Sequence, residues 1–395
     1  MVGKHKKSGK REYFEPDELA IGLSHYDLGI IKNIREFPRG SSRAPKCVVE
    51  CERGRYLFKR RQHGVENIEK VAFTHHIQLS LASQNFPLPH LQPTRGDGSS
   101  MLILNDHIYE LQEFITGTGY DQSLKSTEQS GHALGLYHKL LEHFHSDYEP
   151  PTASYHNAKA IHHSILHSAS AMKSKCEEMG GTIDNTVTVL DEYYRKCVEK
   201  LHNLKLHHWP NQIVHGDWHP GNMLFREQLV AAVIDYDTAR LHQRVIDFAN
   251  GALQFSIIGG GENPLEWPAN LDLPRFRSFL HGYDSVNVIT QDELKAVPLL
   301  MCEAIIAEAV LPIASTGGFG RFNGCEFLQM IRKKVEWILK NYATLVNILN
   351  TPIPNVPSPV EQKPAESQHP GHRPIEDVDD PLSGLAEIVE KINPK

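Results

Sequence analysis

Three polar residues at fixed spacing, each beside an apolar segment, form the part of this sequence best suited to chemistry. Asp217 follows His215 and Gly216, Asn222 comes five residues later, and Asp235 follows thirteen residues after that. Transfer of a phosphoryl group from ATP uses such a set, because one carboxylate orients or deprotonates the attacking hydroxyl while an amide and a second carboxylate bind Mg²⁺. The neighbouring apolar runs predict two short buried strands that hold these side chains on a rigid base.

The composition is that of an ordinary soluble globular protein. The chain has 395 residues, of which 40% are hydrophobic and 23% are charged, and its formal net charge is -7. This acidic balance argues against a general nucleic-acid-binding protein. We find no N-terminal apolar leader and no run of about eighteen apolar residues, so we expect a cytoplasmic protein without a membrane span. These features predict no particular oligomeric state.

The element order predicts a small strand-rich part followed by a larger helical part. Residues 17–116 contain five segments typical of strands and, at Val65–Leu81, one segment with helical spacing. Residues 117–350 are mostly helical. The first sixteen residues are basic and residues 351–395 are rich in proline, so both ends are expected to be flexible.

The segments with the clearest patterns have these bounds. The predicted strands are Leu28–Ile34, Lys46–Cys51, Arg55–Arg60, Met101–Leu104 and His107–Phe114. The predicted helices after residue 120 are Gln129–Phe144, Asp184–Leu204, Arg244–Ile257, Gln291–Ala314 and Phe327–Leu349.

The stretch from His215 to Asn222, together with Ile234-Asp235, resembles the motif of the aminoglycoside phosphotransferase and choline/homoserine kinase superfamily. The resemblance is specific over these residues and extends by element order over about residues 20–350. It implies an α+β, protein-kinase-like two-lobe fold with a small antiparallel β-sheet N-lobe and a mostly helical C-lobe. It also implies an enzyme that uses ATP and Mg²⁺ to phosphorylate a hydroxyl group.

The resemblance assigns a role to each residue of the motif. Asp217 matches the catalytic base, and His215 would brace the catalytic loop. Asn222 and Asp235 match the Mg²⁺ ligands, which agrees with the preference of this hard cation for oxygen. Any one of these residues alone could be a structural turn residue, and their joint spacing favours the functional interpretation.

The N-lobe would supply the lysine that contacts the α- and β-phosphates. Lys59 matches it, although its position beside two arginines is also compatible with a surface strand lysine. The family pairs this lysine with a helix glutamate. Glu69 is preferred to Glu66 because it lies further into the predicted helix.

Two backbone segments complete the expected nucleotide site. Gly40, Ser41 and Ser42 lie in the loop that would cover the phosphates, which contains fewer glycines than the family often has. By analogy of fold, the backbone groups of Glu113 and Ile115 would bind adenine.

Three further polar residues have open roles. Asp237 could be a second metal contact or could cap a turn, since residues two apart on a strand point the same way. Asp247 resembles a structural aspartate that stabilises backbone. His219 could contact substrate.

The helical part would bind the molecule that accepts the phosphoryl group. The resemblance to the family is least informative about this part of the chain. A small metabolite is favoured, with a homoserine-like amino alcohol or a sugar ahead of a cationic aminoglycoside or choline. The cationic substrates would need a carboxylate cluster, to which Glu303, Glu308 and Asp284 could contribute. The motif His-Gly-Asp-x-His-x-Gly-Asn also matches bacterial stress-response protein Ser/Thr kinases, and a non-catalytic nucleotide-binding module is the third alternative.

Overall fold

The computed structural model describes residues 11–62, 67–172 and 180–349. Most of the expected basic N-terminus and the expected proline-rich tail lie outside the described residues, as does Glu66.

A five-stranded antiparallel sheet forms the first part of the molecule. Its strands are β1 (Ile31–Glu36), β2 (Lys46–Cys51), β3 (Gly54–Arg60), β4 (Leu102–Leu104) and β5 (His107–Glu113). They lie in the order β1-β2-β3-β5-β4. The turn between β4 and β5 is made by Asn105 and Asp106, both with positive φ, a conformation that these two residue types tolerate well. The strand patterns in the sequence therefore predicted this sheet well.

Two helices flank the sheet and have different packing partners. They are α1 (Pro16–Ser24) and α2 (Ile68–Ser83). Leu23 at the end of α1 joins Val49, Phe58 and Leu111 of the sheet in a small apolar cluster. The buried face of α2, including Phe73, instead joins the larger apolar cluster of the helical part. The second helix therefore connects the packing of the two parts.

The remainder of the described chain is mostly helical. Its helices are α3 (Leu124–Leu140), α4 (Lys159–Met172), α5 (Gly180–Asn203), α6 (Arg244–Ser256), α7 (Leu273–Asp284), α8 (Gln291–Thr316), α9 (Gly324–Lys340) and α10 (Tyr342–Val346). The short strands are β6 (Asn211–Val214), β7 (Met223–Arg226), β8 (Leu229–Val233), β9 (Arg240–Gln243), β10 (Gly318–Phe319) and β11 (Phe322–Asn323). Pairs β6–β9 and β7–β8 are antiparallel. They supply the buried strands predicted before Asp217 and Asp235, and the whole is the predicted α+β architecture.

Helix α8 bears on the prediction that the chain has no membrane span. Among the described helices, α8 is the one whose length and composition would allow it to cross a membrane. Its most apolar window has a mean hydropathy of 1.9. Glu303 and Glu308 interrupt its apolar residues, so the chain has no uninterrupted run of about eighteen, as predicted, but by composition the helix could span a membrane. However, 94% of that window is buried inside the protein. The helix is apolar all round because other helices surround it.

Candidate active site

The loop between β6 and β7 is held by one buried carboxylate. Asp247, in the first turn of α6, accepts hydrogen bonds from the backbone N–H groups of His215 (2.8 Å) and Gly216 (2.9 Å). The His138 ring lies 3.2 Å from the same carboxylate. Charge-assisted bonds of this kind are stronger than neutral ones. Asp247 therefore stabilises backbone, as the sequence predicted, and fixes the residues that precede Asp217.

The position before Asp217 requires glycine. Gly216 has φ +79°, and a Cβ there would lie 2.5 Å from the carbonyl oxygen of Thr238. The Thr238 hydroxyl donates to the carbonyl of His215 at 2.9 Å. The segment after β8 therefore packs directly on the loop, and a side chain at position 216 would separate them.

The His215 side chain packs within an aromatic cluster. Its ring is fully buried against Tyr137, Trp218 and Tyr236, and neither ring nitrogen has a hydrogen-bond partner within the described chain. Burial lowers its pKa, partly offset by nearby carboxylates such as Asp247. The ring is therefore neutral and its contacts are those of a brace rather than of a base.

The Asp217 carboxylate is buried and surrounded by donors. Asn222 Nδ2 lies 3.0 Å from Asp217 Oδ2, and His219 Nε2 lies 3.4 Å from the same oxygen. The Gly221 N–H donates to His219 Nδ1 at 3.0 Å, which leaves the ring hydrogen on the Nε2 that faces Asp217. Burial acts to raise the pKa of Asp217, but His219 and the other donors outweigh it, and the pKa lies below its usual value. The group is ionised at neutral pH.

Asn222 and Asp235 present oxygen atoms that have no partner among the described residues. The Asn222 amide nitrogen donates to the carbonyl and the carboxylate of Asp217, both at 3.0 Å, and within the described residues nothing donates to its Oδ1. Ile234 N–H donates to the Asn222 carbonyl at 2.9 Å, so the end of β8 is tied to the loop. Asp235 has φ +64° and an exposed side chain. Carboxylate and amide oxygens of this kind fit a hard divalent cation.

The electrostatics of Asp235 agree with that interpretation. Desolvation by the surrounding protein, followed by the nearby Asp237 carboxylate, raises the pKa of Asp235. No hydrogen bond or ion pair to this carboxylate occurs between described residues. A positive φ at a non-glycine residue costs free energy and is found preferentially at functional sites. A cation here would relieve the repulsion between the two carboxylates.

Lys59 lies near two carboxylates that do not belong to α2. Lys59 lies directly opposite Glu110 in the β3–β5 register, and its Nζ is 3.8 Å from Glu110 Oε2 and 3.4 Å from Asp237 Oδ2. Glu69 is exposed at the start of α2, and these two described residues form no ion pair. In the described structure Lys59 therefore pairs with Glu110 and Asp237 and not with Glu69, whereas Glu66, the other predicted candidate, lies outside the described residues.

Arg61 extends this ion-pair network between the two parts of the molecule. Its guanidinium bonds Glu110 and lies 2.7 Å from Asp237 Oδ1, and His75 Nε2 is 2.9 Å from Glu110. Burial acts to raise the pKa of Asp237, but Arg61 and Lys59 outweigh it and hold the pKa well below its usual range. Asp237 thus acts as an ion-pair partner here, a role that the sequence did not suggest.

The predicted phosphate-covering loop lies between β1 and β2. Its Ser41 hydroxyl accepts from the Arg43 N–H at 3.2 Å, and the Ser42 carbonyl accepts from the Glu12 N–H at 2.8 Å. Gly40 has φ +74° and lies over the ammonium group of Lys46. The loop therefore approaches a lysine that the sequence did not single out.

The segment expected to bind adenine has one unused backbone donor. The Glu113 N–H donates to His90 O at 3.0 Å, and the Phe114 N–H donates to Arg55 O at 2.9 Å. The N–H of Ile115 has no acceptor within the described part of the chain. Of the two predicted positions, Ile115 thus offers a free N–H, whereas the N–H of Glu113 is already bonded.

Sequence reasoning missed Glu110, Arg61 and Lys46. For Glu110 a signal existed, because a carboxylate interrupts the otherwise apolar segment from Ile108 to Leu111. Arg61 follows β3 in a run of cations that resembles a solvated surface. Lys46 is the first residue of its strand, and only the strand register reveals that it neighbours Lys59.

Comparison with known proteins agrees with this geometry. Residues 33–277 match the phosphotransferase enzyme family that includes the aminoglycoside phosphotransferases. The chain belongs to this family. It is a phosphotransferase of the kinase type, as the motif predicted.

Curated relatives of this phosphotransferase include two homoserine kinases. The enzyme of Sinorhizobium medicae is 22% identical over 289 residues, which cover 72% of this chain and 79% of the relative. That of Zymomonas mobilis is 26% identical over 184 residues, or 46% of this chain. This second match spans about half of the relative's length, 53%.

Solved structures show the same fold. An amicoumacin kinase, solved with AMP-PNP, Ca²⁺ and Ami, superposes with a TM-score of 0.60 at 12% identity, covering 82% of this chain and 93% of that one. At this identity the likeness concerns the fold alone. It confirms the predicted kinase-like two-lobe architecture of the phosphotransferase.

Proposed function

We propose that this phosphotransferase transfers the γ-phosphate of ATP to a hydroxyl group of a small metabolite. The observation that carries the proposal is the set formed by an ionised, buried Asp217, the free Oδ1 of Asn222 and the unpaired carboxylate of Asp235. These are the groups that phosphoryl transfer needs, on one loop and the strand beside it.

In the proposed reaction, Asp217 orients the acceptor hydroxyl and takes its proton as the oxygen attacks the γ-phosphorus. The new O–P bond forms while the bond to the ADP oxygen breaks. Asn222 Oδ1 and Asp235 would hold Mg²⁺. When bound, this cation would neutralise part of the phosphate charge. Lys59 would bind the α- and β-phosphates, and the Ile115 N–H would bind adenine.

The acceptor proposed first is a homoserine-like amino alcohol. Both relatives described above are homoserine kinases. A polycationic acceptor would need a cluster of free carboxylates, but the three candidates already have partners inside the protein. Glu303 bonds His156, Glu308 bonds Gln254, and Asp284 bonds the Ile289 N–H. These pairings support a small acceptor over an aminoglycoside. We infer a cytoplasmic enzyme, since a small metabolite and ATP are both found there.

The test is incubation of the protein with Mg²⁺, ATP and a panel of hydroxyl compounds, followed by mass spectrometry of the products. The panel contains homoserine, choline, a sugar and an aminoglycoside, with a polar metabolite extract beside it. Asp217→Asn is the inactive control, because it retains size and hydrogen bonding but removes the base. Asp184→Asn, on the exposed side of α5, is the matched control and should behave as wild type.

A phosphorylated small molecule that forms with wild type and Asp184→Asn, but not with Asp217→Asn, supports the proposal. Phosphorylation of protein without any change in small molecules would replace it with a protein Ser/Thr kinase. Binding of ATP without transfer to any acceptor would favour a non-catalytic nucleotide-binding module.

A further inference from the structure

A second lysine faces the proposed phosphate site from the neighbouring strand. Lys46 lies directly opposite Lys59 in the β2–β3 register, and Lys59 lies directly opposite Glu110 in the β3–β5 register. Residues opposite each other on antiparallel strands project from the same face of a sheet. Lys46, Lys59 and Glu110 therefore form one row on the face where Lys59 meets Asp237.

The Lys46 ammonium group lies close to the backbone of the loop between β1 and β2. A Cβ built on Gly40 would lie 2.8 Å from Lys46 Nζ, so the ammonium group sits directly beneath the loop expected to cover the phosphates. Gly40 has φ +74°, a conformation that glycine adopts without strain. Any larger residue at position 40 would displace the ammonium group.

The two lysines differ in their protein partners. Lys59 is bonded to Asp237 and lies near Glu110, whereas Lys46 makes no hydrogen bond or ion pair with any described residue. Like charges directly opposite on a sheet are unfavourable. A half-buried cation in such a position, without a counter-ion, is the arrangement expected where an anionic ligand completes the site.

The electrostatic surroundings of Lys46 support this interpretation. Burial and then the charge of Lys59 lower its pKa to about 8, against the smaller opposing effects of Asp235, Asp237 and Glu110. An ammonium group short of negative charge responds in this way, and a bound anion would restore its pKa. The carboxylates of Asp235, Asp237 and Glu110 thus offset the effects of burial and of Lys59 only in part.

We propose that Lys46 is a second phosphate-binding lysine, which contacts the nucleotide's phosphate chain from beneath the loop of residues 37–45 while Lys59 contacts it from β3. The proposal rests on ATP being the nucleotide substrate. It accounts for a covering loop with a single glycine, because a lysine side chain supplies part of the positive potential that backbone N–H groups of a glycine-rich loop would provide.

The first experiment is calorimetric titration of wild type, Lys46→Met and Lys32→Met with AMP-PNP plus Mg²⁺ and, separately, with adenosine. Lys32→Met is the matched control, because Lys32 is exposed on β1. Lys46→Met should weaken AMP-PNP binding by about 10- to 100-fold, the loss expected for one charge-assisted contact. Adenosine binding should change by less than about twofold in both variants.

Equal loss of AMP-PNP and adenosine affinity in Lys46→Met would overturn the role of Lys46 as a phosphate ligand, and so would unchanged AMP-PNP affinity. If wild type itself fails to bind AMP-PNP, the proposed function fails first and the Lys46 proposal fails with it. The two failures are therefore distinguishable in the same titration.

A second measurement uses the unaltered protein and does not depend on the folding of a variant. Wild type is acetylated at pH 8 with and without AMP-PNP, ADP or adenosine, and each modified lysine is quantified by mass spectrometry. Lys46 should be protected by AMP-PNP and ADP but not by adenosine, whereas Lys32 should react equally throughout. Acetylation of Lys46 at the same rate with all ligands, in protein that binds AMP-PNP, would contradict the proposal.

Discussion

Lys59 and Glu110 face each other on adjacent antiparallel strands, with Nζ 3.8 Å from Oε2, and the carboxylate also bonds Arg61 and His75. Glu110 is 5% exposed, so one buried anion contacts three basic groups, two of which also pair with Asp237. The lysine that would bind phosphate is therefore positioned by a strand residue rather than by a helix residue.

Substitution at this carboxylate tests the arrangement. Glu110→Gln should lower the free energy of unfolding by about 2–3 kcal/mol, because it leaves buried cations partly uncompensated, and should weaken nucleotide binding. Glu69→Gln, at the exposed start of α2, should change stability by less than about 0.5 kcal/mol. Chemical denaturation and nucleotide titration measure both effects. If Glu69→Gln instead caused the larger loss of stability and of nucleotide binding, Glu69 rather than Glu110 would be the partner of Lys59.

Asp247 should affect catalysis without contact to any reacting atom. Asp247→Asn replaces one acceptor oxygen by a donor that opposes the N–H groups of His215 and Gly216. We expect a loss of about 2–3 kcal/mol in unfolding free energy and a lower kcat, because the loop that carries Asp217 is no longer fixed. Denaturation and steady-state kinetics test this. Unchanged kcat in a destabilised variant would mean that the loop holds its shape through other contacts.

Asp235 is expected to act through the metal. Asp235→Asn keeps a residue type that tolerates φ +64°, so the backbone should be retained. Loss of even an outer partner of a metal ligand commonly reduces metal affinity 10- to 100-fold, so replacing this charged ligand by a neutral amide oxygen should cost at least about tenfold. Titration of nucleotide with and without Mg²⁺ should show a loss only when Mg²⁺ is present. An equal loss without metal would remove Asp235 from the proposed Mg²⁺ site.

Lys334 gives a prediction about pH and stability. Its buried ammonium group donates to the carbonyls of Ile258 (2.7 Å) and Pro268 (2.6 Å), and burial lowers its pKa from 10.5 to about 8. Between these two values the unfolded chain binds more protons than the folded one, so the unfolding free energy contributed by this group rises with pH. A neutral amine still donates to both carbonyls.

The difference in unfolding free energy between wild type and Lys334→Met isolates this contribution. It should shift in favour of wild type by up to about 3 kcal/mol between pH 8 and pH 10.5. Denaturation at several pH values measures it. A difference that stays constant over this range would mean that the lysine titrates normally in the folded protein.

Periodicity in the sequence predicted the sheet better than it predicted the helical part. The strand Lys46–Cys51 and the start of α6 at Arg244 have the predicted bounds, because alternation and helical spacing are local properties. Helices α1 and α7 were not predicted. The predicted helix Phe327–Leu349 is divided at Asn341, which ends α9 and precedes α10.

At the candidate site, too, the sequence reveals features that depend on neighbouring residues but not features that depend on residues distant in the chain. The spacing of Asp217, Asn222 and Asp235 was readable because one loop and its neighbouring hairpin carry all three. The choice between Glu69 and Glu110 depended on which strands are adjacent in the sheet. That adjacency is a tertiary property, and neither residue's sequence neighbours reveal it.

The bridge from Lys59 and Arg61 to Asp237 has a consequence for how a nucleotide enters. Lys59 and Arg61 of the strand-rich part are already paired with the Asp237 carboxylate, which belongs to the segment after β8. At these two residues, an arriving polyphosphate must therefore exchange with Asp237 rather than meet unpaired positive charge. Such an exchange releases few counter-ions from solution, so affinity at these two residues should vary little with ionic strength. The cleft would then favour ligands that can compete with the Asp237 carboxylate for Lys59 and Arg61, which disfavours weakly charged anions.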